Sequence, residues 1–300
     1  MTAITIDAMP TVTAKEGGLR MTRPSAKQLE IAAAPSSATE HAAAIRAFFA
    51  AVLPPILGLL LMIGLWHVAT MKGGSIPSPA KTWEAAAILL ADPFYSNGPN
   101  DQGIGWNILA SLQRVGIGFG IAALVGIPAG FLLGRFALLS SLVNPLISLL
   151  RPVSPLAWLP IGLLVFQRAD PAATWTIFIC SIWPMIMNTA QGVQRVPQDY
   201  LNVARVLNLS EWKIVTKILF PSVLPYMLTG IRLSIGTAWL VIVAAEMLTG
   251  GVGIGFWVWD EWNNLKVEHI IIAIFVIGIV GLLLEQLLLL IARRFSYGAN

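Results

Sequence analysis

Ionisable side chains occur in several stretches of this sequence that are otherwise almost wholly apolar. Arg114, Arg151 and Arg232 each lie inside a long apolar run, and Glu246 lies at the end of another. An ionisable group surrounded by hydrocarbon is energetically unfavourable, so each is a candidate for a functional site. A guanidinium keeps its charge and offers a fork of donors that suits oxyanions. Alternatively, each arginine extends to a polar boundary or hydrogen-bonds a free carbonyl.

Arg151 is the first candidate for contact with an anion. It precedes Pro152, and Ser154-Pro155 follow at once, so the helix must break there. The residues after the break begin a new helix, whose free N–H groups and positive dipole end favour an anion. Arg114 and Arg232 are the next candidates, and for these two the alternative interpretation is favoured.

Glu246 and Trp158 complete the set of candidate pathway residues. A carboxylate repels an anion, so Glu246 is expected to form a gate or to be the structural partner of an arginine. Trp158 could line a narrow gate, although tryptophans at helical spacing in a membrane bundle are more often core or belt residues. Glu285 is expected to extend to a boundary or to lie at a subunit contact.

Motifs for catalysis, nucleotide binding and metal binding are missing from the sequence. It contains no GxxxxGK loop and no His-Glu-x-x-His pair, and His41, His67 and His269 are dispersed. The single cysteine, Cys180, lies in an apolar segment, which excludes an internal disulfide and a cysteine metal site. We therefore predict a chain that is not an enzyme and binds no metal or cofactor itself.

The composition is that of an integral membrane protein. Hydrophobic residues make up 56% of the chain and charged residues 11%, with a mean hydropathy of +0.75. Soluble domains have about 25% charged residues. The formal net charge of +4 is therefore best interpreted through its placement along the chain, because Lys and Arg report orientation in membrane proteins.

The apolar segments predict an all-α, polytopic protein with six transmembrane helices. The expected spans are 50–69, 108–136, 139–166, 172–189, 222–247 and 269–291. Before them, residues 1–45 are predicted to be a disordered cytoplasmic tail. Residues 71–106 are predicted to form an extracytoplasmic loop with one short helix over 80–91 and plain loop over 92–105. Residues 107–292 form the main transmembrane domain, with an outer loop over 248–268, and 293–300 the cytoplasmic C-terminus.

Glycines recur every fourth residue in the second predicted span. Gly126, Gly130 and Gly134 form one such series, and Gly116 and Gly120 another. Small residues at this spacing predict close approach of a neighbouring helix.

Basic residues are distributed unevenly between the two sides of this six-span arrangement. With the N-terminus inside, the cytoplasmic set is Lys15, Arg20, Arg23, Lys27, Arg46, Arg135, Arg195, Arg205, Lys213, Lys217, Arg293 and Arg294, and the outer set is Lys72, Lys81, Arg168 and Lys266. An excess of Lys and Arg marks the cytoplasmic side. Both termini and the segment 199–226 are therefore predicted to be cytoplasmic.

The segment 199–226 is a polar island between two apolar segments, and it predicts two short helices joined by a bend. Asp199 can cap the first helix, and Asn208 can adopt the left-handed conformation at its end. Ser210 can cap the second helix, with Glu211 in its first turn. Apolar residues at helical spacing predict that the pair lies in the groove of a partner: Leu201, Ala204, Leu207, Trp212, Val215 and Leu219. The alternative is an amphipathic segment at the membrane surface.

The spacing within this island resembles the cytoplasmic coupling loop of ABC-importer permeases. That pattern is Glu-Ala-Ala, three residues, Gly, nine residues, then Ile-x-Leu-Pro. Ala204, Ile218 and Pro221 match it. The sequence differs from the pattern at Asn202, Val203, Asn208 and Phe220. The resemblance implies a coupling loop over 199–221, and the residues assigned to coupling are Asn202, Val203, Ala204, Arg205, Asn208, Ser210, Trp212 and Pro221.

The resemblance extends over about 53–295, with runs at 108–115, 150–160 and 238–247 that are similar to permeases for nitrate, bicarbonate, cyanate, taurine and alkanesulfonates. The segment 92–101 is most similar to nitrate-type permeases. This implies a bacterial inner-membrane type I permease that imports a small oxyanion, nitrate or nitrite first. Its implied partners are a second copy of the chain, two cytoplasmic ATPases that bind ATP and Mg, and an extracytoplasmic binding protein, with no nucleic acid. A secondary transporter or channel acting alone is the alternative from another class, and it would need corresponding broken helices in two halves.

Overall fold

The computed structural model describes residues 37–99 and 101–295, and the chain divides into two units, 1–69 and 70–300. In the first unit, helix α1 (Ser37–Thr70) contains the first predicted span. Residues 37–45 were predicted to belong to a disordered tail, and this boundary is wrong because α1 already begins at Ser37. The remainder of the predicted tail lies outside the described residues.

The second unit is built from helices, which confirms the predicted all-α class. Its elements are α2 (Pro79–Leu89), α3 (Ile104–Arg135), α4 (Ala137–Leu150), α5 (Pro155–Phe166), α6 (Ala169–Gln194), α7 (Gln198–Val206), α8 (Glu211–Ile214), a π-helical turn (Val215–Leu219), α9 (Phe220–Thr249), α10 (Ile254–Asn263) and α11 (Val267–Phe295). A single bridge, Ser96 to Gln102, is the extended pairing among the described residues.

Four helical segments of the described chain are long and apolar enough to cross a membrane, or five if the bent pair α4 and α5 is one span. They are Val52–Thr70, Ile104–Arg135, Glu211–Thr249 and Val267–Ala292. The predicted count of six is therefore not confirmed. Helix α6 contains the predicted fourth span but falls outside this set, and it carries buried polar residues such as Thr176, Ser181 and Thr189.

The predicted break near Arg151 is present. Helices α4 and α5 meet at 100° across residues 151–154. Pro152 and Pro155 lack the N–H groups that would continue the helix, and Pro155 instead occupies the first turn of α5, where no donor is needed.

Helix α6 lies at the centre of the second unit, between α3 and α9. A Cβ on Gly118 would lie 2.8 Å from Ile177 Cβ, and a Cβ on Gly130 would lie 2.6 Å from Thr189 Cβ. Gly126 and Gly134 contact α6 in the same way, so this part of the glycine prediction is confirmed. Gly116 is different, because a Cβ there meets nothing within 4 Å, and the same holds for Gly120.

These contacts also set the directions of the helices. Positions along α3 advance together with positions along α6, so the two helices are parallel, whereas Gly192 contacts Tyr226 and Gly230 contacts Asn188, so α9 is antiparallel to α6. Parallel neighbours require the chain to return between them, and α4 with α5 makes that return. The bundle thus has an Arg114 end, where α3 and α6 begin and α9 ends, and a coupling-loop end, where α7 and α8 connect α6 to α9.

The predicted loops contain more structure than expected. Helix α2 matches the helix predicted over 80–91, but the segment 92–105 is not plain loop. Gly103 N–H donates to Tyr95 O at 2.8 Å and Trp106 Nε1–H to Phe94 O at 2.8 Å. The predicted loop 248–268 contains α10. The sequence did not predict α10 because it is rich in tryptophan and follows a glycine-rich loop, and neither residue type favours a helix strongly.

Candidate functional site

The Arg114 end is held together by a buried ionic network. Glu246 on α9 is 1% exposed, and Arg114 Nη1 on α3 donates to its Oε1 at 2.6 Å. The same nitrogen donates to Val252 O at 2.7 Å, and Arg114 Nε donates to Asp170 Oδ1 at 2.9 Å. Three elements that are distant in sequence therefore meet on one guanidinium.

The network continues into the loop that leads to α10. Ser111 Oγ donates to Glu246 Oε2 at 2.7 Å and accepts the N–H of Ile254 at 2.9 Å. Gly255 N–H donates to Glu246 Oε2 at 3.0 Å, and Gly253 N–H donates to Asn107 Oδ1 at 2.8 Å. The first N–H groups of α10 have no partners within their own helix, so these side chains supply the acceptors that burial requires.

Glycine is required where the loop meets α9. A Cβ on Gly255 would overlap Val243 O and lie 2.9 Å from Glu246 Cβ, and a Cβ on Gly253 would overlap the Glu246 carboxylate. The close approach of this backbone to α9 allows the Glu246 carboxylate to accept the Gly255 N–H.

Two of the predicted pathway residues, Arg114 and Glu246, belong to this network. Glu246 has the position of a structural partner of an arginine, one of the two roles expected for it. Arg114 has two carboxylate partners, Glu246 and Asp170. Contact of either residue with a substrate stays a prediction.

Arg232 is also paired. Its guanidinium on α9 forms a salt bridge with Glu285 on α11, and both side chains are half-exposed. Arg232 Nε donates to Glu285 Oε1 at 2.8 Å. The pair joins α9 to α11, so Glu285 is matched by a charge from its own chain.

Arg151 differs from both. It lies exposed in the break between α4 and α5, and Nη1 contacts Met187 Sδ at 3.4 Å. A thioether is a weak acceptor. Within the described chain, no carboxylate lies within ion-pair distance of Arg151. Trp158, on α5, is partly buried and is not among the residues that line the cavities beside Arg151.

At the opposite end, the predicted bend at Asn208 is confirmed. Asn208 has φ 50°, and the N–H groups of Asn208 and Leu209 donate to Arg205 O and Ala204 O, each at 3.0 Å. This double closure is a Schellman motif, in which the left-handed residue turns the chain and satisfies the last carbonyls of the helix. Asparagine can stand where the coupling-loop pattern has glycine because it tolerates positive φ better than most other non-glycine residues.

The two short helices, α7 and α8, differ in how their N-termini are capped. Ser210 caps α8 as predicted, accepting from Lys213 N–H. Asp199 does not cap α7, because Pro197 holds the cap position and Asp199 falls in the first turn. In the first turn, the negative charge of Asp199 still interacts favourably with the positive N-terminal end of the α7 dipole.

The second short helix is not separate from the span that follows. α8 continues through the π-helical turn Val215–Leu219 into α9, and Phe220 N–H donates to Val215 O. Pro221 lies two residues after the end of this turn, in the first turn of α9. Proline lacks an N–H and crowds the carbonyl four residues earlier, and the widened turn lies where that conflict would arise.

The apolar stripe predicted to face a partner is divided between two faces. Leu201, Ala204 and Leu219 are buried in the chain's own core, so these three residues are not available to a partner. The exposed face instead carries apolar side chains from both helices. These are Tyr200, Val203, Val206, Leu207 and Trp212. Asn202, Arg205, Asn208, Ser210 and Pro221 are exposed as well.

Contacts that sequence analysis missed attach this loop to α3. Arg135 Nη2 donates to Glu211 Oε1 at 3.0 Å, and the rings of Phe131 and Phe220 stack with centroids 6.3 Å apart. Within the loop, Arg205 Nη1 donates to Asn202 Oδ1 at 3.2 Å. The loop is thus held by α3 on one side while its other side stays open.

Asn107, Ser111 and Asp170 were also missed at the Arg114 end. The sequence contains one signal for the first two, since polar residues four apart in an apolar helix share a face. Asp170 has none, because it follows a loop and an acidic residue at a helix start is ordinary.

Residues 126–297 match the family described as binding-protein-dependent transport system inner membrane component. The nitrate import permease protein NrtB of Synechocystis sp. is 47% identical over 236 residues, covering 78% of this chain and 86% of that protein. The bicarbonate transport system permease protein CmpB of Synechocystis sp. is 47% identical over 239 residues, covering 78% and 85%.

The NrtB of Leptolyngbya laminosa is 46% identical over 242 residues, covering 81% of this chain and 87% of that protein. Among solved structures, an inward-facing conformation of the MetNI methionine ABC transporter aligns with a TM-score of 0.53 at 15% identity, covering 63% of this chain and 94% of that chain. That likeness concerns the fold. The sequence matches and the fold agree, and the chain belongs to the family of inner-membrane components of binding-protein-dependent transport systems.

Proposed function

We propose that this chain is the membrane-spanning permease of an ATP-driven importer for a small oxyanion, nitrate (or nitrite) first and bicarbonate as the alternative. Relatives whose names specify nitrate and bicarbonate are about equally similar to it. The likeness of segment 92–101 to nitrate-type permeases favours nitrate. Cyanate, taurine and alkanesulfonates are further alternatives within the same group.

The observation that carries this proposal is the exposed apolar face of the coupling loop, 199–221. Val203, Leu207 and Trp212 project from a surface whose opposite side is buried in the chain's own core. Exposed apolar patches of this kind mark protein contacts. The proposed partners at this face are two cytoplasmic ATPase subunits, which bind ATP and Mg.

The continuity of α8 with α9 supports a mechanical role for the loop. A displacement of α8 by the ATPases reaches α9 without crossing a flexible connection, because the π-helical turn keeps the helix unbroken. The salt bridge between Arg135 and Glu211 extends the same displacement to α3. Movement of these helices would alternate the opening of the pathway between the two sides.

We propose six crossings, with both termini in the cytoplasm. α4 and α5 together return the chain between the parallel helices α3 and α6, and α6 runs the length of the bundle from one end to the other. α6 needs little apolar surface because its neighbours, rather than lipid, cover it. The excess of Lys and Arg at the coupling-loop end supports a cytoplasmic position for that end.

A second copy of the chain and an extracytoplasmic binding protein complete the proposed assembly. Between the two copies, Arg151 is the first candidate for contact with the anion, since it lacks a carboxylate partner within the described residues. Arg114, Arg232, Trp158 and Glu246 stay predictions for the pathway.

Substitutions in the exposed face test the proposal. In proteoliposomes containing the whole importer, Trp212→Ala or Arg205→Glu should uncouple ATP hydrolysis from uptake and leave membrane insertion unchanged. Trp83→Ala is the matched control, because Trp83 is 76% exposed and Trp212 75%, but Trp83 lies on α2, away from the loop. Unchanged substrate-stimulated ATPase activity in both loop variants would count against the proposal.

A channel or secondary transporter acting alone predicts a different result. The purified chain would then conduct anions in liposomes without any ATPase subunit. The importer predicts an ATPase that copurifies with the chain and no flux from the chain alone.

A further inference from the structure

Two adjoining cavities meet at Arg151, in the break between α4 and α5. One has a volume of about 440 Å³ and the other about 480 Å³. The first extends from the break to α6 and α9. Its lining includes Arg151, Cys180, Asn188, Gln191 and Thr237.

The charge beside these cavities is uncompensated within the described chain. Arg114, Arg135 and Arg232 each form a salt bridge with a glutamate, whereas the contact of Arg151 is with the Met187 thioether. No Asp or Glu is among the residues that line either cavity. A positive guanidinium without acidic neighbours leaves a positive potential in the cavity, which concentrates anions.

Neutral donors lie on the opposite wall. Asn188 spends one amide hydrogen on Pro184 O, at 2.8 Å, and an amide carries two. Gln191 lies one helical turn further along α6 and lines the same cavity. Thr237 Oγ1 is different, because it donates to Leu233 O at 3.0 Å and so presents its oxygen as an acceptor. An acceptor suits the water around an ion better than the ion itself.

The size of the cavity determines what kind of site this is. A water molecule occupies about 30 Å³ of liquid, so the space is large enough for an ion of a few atoms together with on the order of ten waters. A bare oxyanion would not fill it. The ion is therefore expected to keep part of its hydration and to be selected by charge more than by shape.

We propose that this cavity is a resting site for a partly hydrated small oxyanion on its way through the permease, with Arg151 supplying the charge and Asn188 and Gln191 the neutral donors. The inference rests on the importer function proposed above and names the site within it. Discrimination between planar oxyanions of one charge is then weak at this step.

The chain contains its own reporter for the test. Cys180 is the single cysteine of the sequence, is 9% exposed and lines the same cavity. A negatively charged and a positively charged methanethiosulfonate reagent of similar size can compare how the cavity treats the two signs. The preparation is the whole importer, permease with its ATPases, in proteoliposomes, and Cys180→Ala identifies labelling at other subunits.

The anionic reagent should modify Cys180 about tenfold faster than the cationic one, because the Arg151 field concentrates anions. Arg151→Gln should bring the ratio near one, and Arg151→Lys should retain most of it. Nitrate should slow both reagents more than gluconate at equal ionic strength, and Asn188→Ala with Gln191→Ala should weaken that protection. Arg195→Gln is the matched control, since Arg195 is also an exposed arginine but stacks on Tyr226 and does not line either cavity.

A ratio that Arg151→Gln leaves unchanged would overturn the inference. So would a Cys180 that stays unreactive toward both reagents in the native importer and reacts once the protein is denatured. ATP-dependent uptake and copurification of the ATPase, measured on the same preparation, separate the two failures. If both persist while the ratio does not respond, the resting site is wrong and the importer stands. If the ATPase does not copurify, the importer itself is wrong.

Discussion

The Glu246 network at the Arg114 end of the bundle and the exposed face of the coupling loop at the other end differ in whether their side chains find partners within the chain. At the Arg114 end, the charge of Glu246 and the first N–H groups of α10 find partners within the chain. At the coupling-loop end, the backbone is closed just as completely by the Schellman motif at Asn208, but Val203, Leu207 and Trp212 are left in the open.

This difference indicates that the exposed face of the coupling loop, unlike the Glu246 network, gains stability when another protein covers it. A satisfied polar network gains nothing from a partner, because every hydrogen bond made to the partner would replace one already present. Exposed apolar area does gain, at about 25 cal/mol per Å² removed from water. The Glu246 network is therefore interpreted as a fixed point and the exposed face of the coupling loop as a docking surface.

The largest effect on stability is expected at Glu246. Glu246→Gln leaves Arg114 without its buried partner, and loss of one partner of a buried ion pair costs about 3–5 kcal/mol. The apparent melting temperature of the purified protein should fall clearly. Glu285→Gln is the control, because its pair with Arg232 is half-exposed and should lower the melting temperature much less. Equal melting temperatures for the two variants would show that the Glu246 network is not a fixed point.

Gly255→Ala should have the next largest effect. The added methyl group overlaps Val243 O, so the loop must move away from α9, and overpacking of this kind costs about 1–3 kcal/mol. In Gly236→Ala the methyl group meets nothing within 4 Å, and alanine in a helix is favoured by up to about 1 kcal/mol. Thermal unfolding should therefore separate the two alanine variants in opposite directions from the wild type.

The sequence predicted local features well where the cause is local. The left-handed Asn208, the cap at Ser210 and the break at Pro152 each depend on the conformational preference of one or two residues. The pairing of Arg114 with Glu246 joins residues 132 positions apart, and no periodicity contains that information. The apolar stripe of the coupling loop was predicted to face a partner because spacing reveals a helix face but not what covers it.

The packing of α6 explains why fewer than six helices are apolar enough to be recognised as spans. α6 has the length of a span, but its buried polar residues lower its hydropathy, since it packs against α3 and α9 on most of its surface. High hydropathy is typical of a helix whose surface faces lipid, and a helix that lies among other helices has little such surface.

A smaller effect is expected at Asn208. With φ at 50°, Asn208→Val forces a β-branched residue into the left-handed region, which costs about 1–2 kcal/mol. Asn208→Gly should be neutral, because glycine adopts this conformation freely. Uptake by the valine variant should fall along with its melting temperature. A valine variant as stable as the glycine variant would contradict the role of the bend.

The smallest effect on stability, with a clear effect on assembly, is expected at Val203. Val203→Ser changes an exposed side chain, so stability should stay within about 0.5 kcal/mol. Retention of the ATPase during purification should nevertheless decrease. Leu90→Ser is a matched control, because Leu90 is also exposed but ends α2 at a predicted outer loop. Equal retention of the ATPase by both variants would show that the face containing Val203 does not bind the ATPase.

The coupling loop is proposed to face the cytoplasm and to present its exposed apolar side chains to a partner there. This orientation is tested most directly with Trp212→Cys and Trp83→Cys, each in a Cys180→Ala chain and each treated with a maleimide that does not cross membranes. In inside-out vesicles from cells that lack the ATPase subunits, position 212 should react, and in intact cells it should not, whereas position 83 should do the reverse. Reaction of position 212 in intact cells would contradict this orientation.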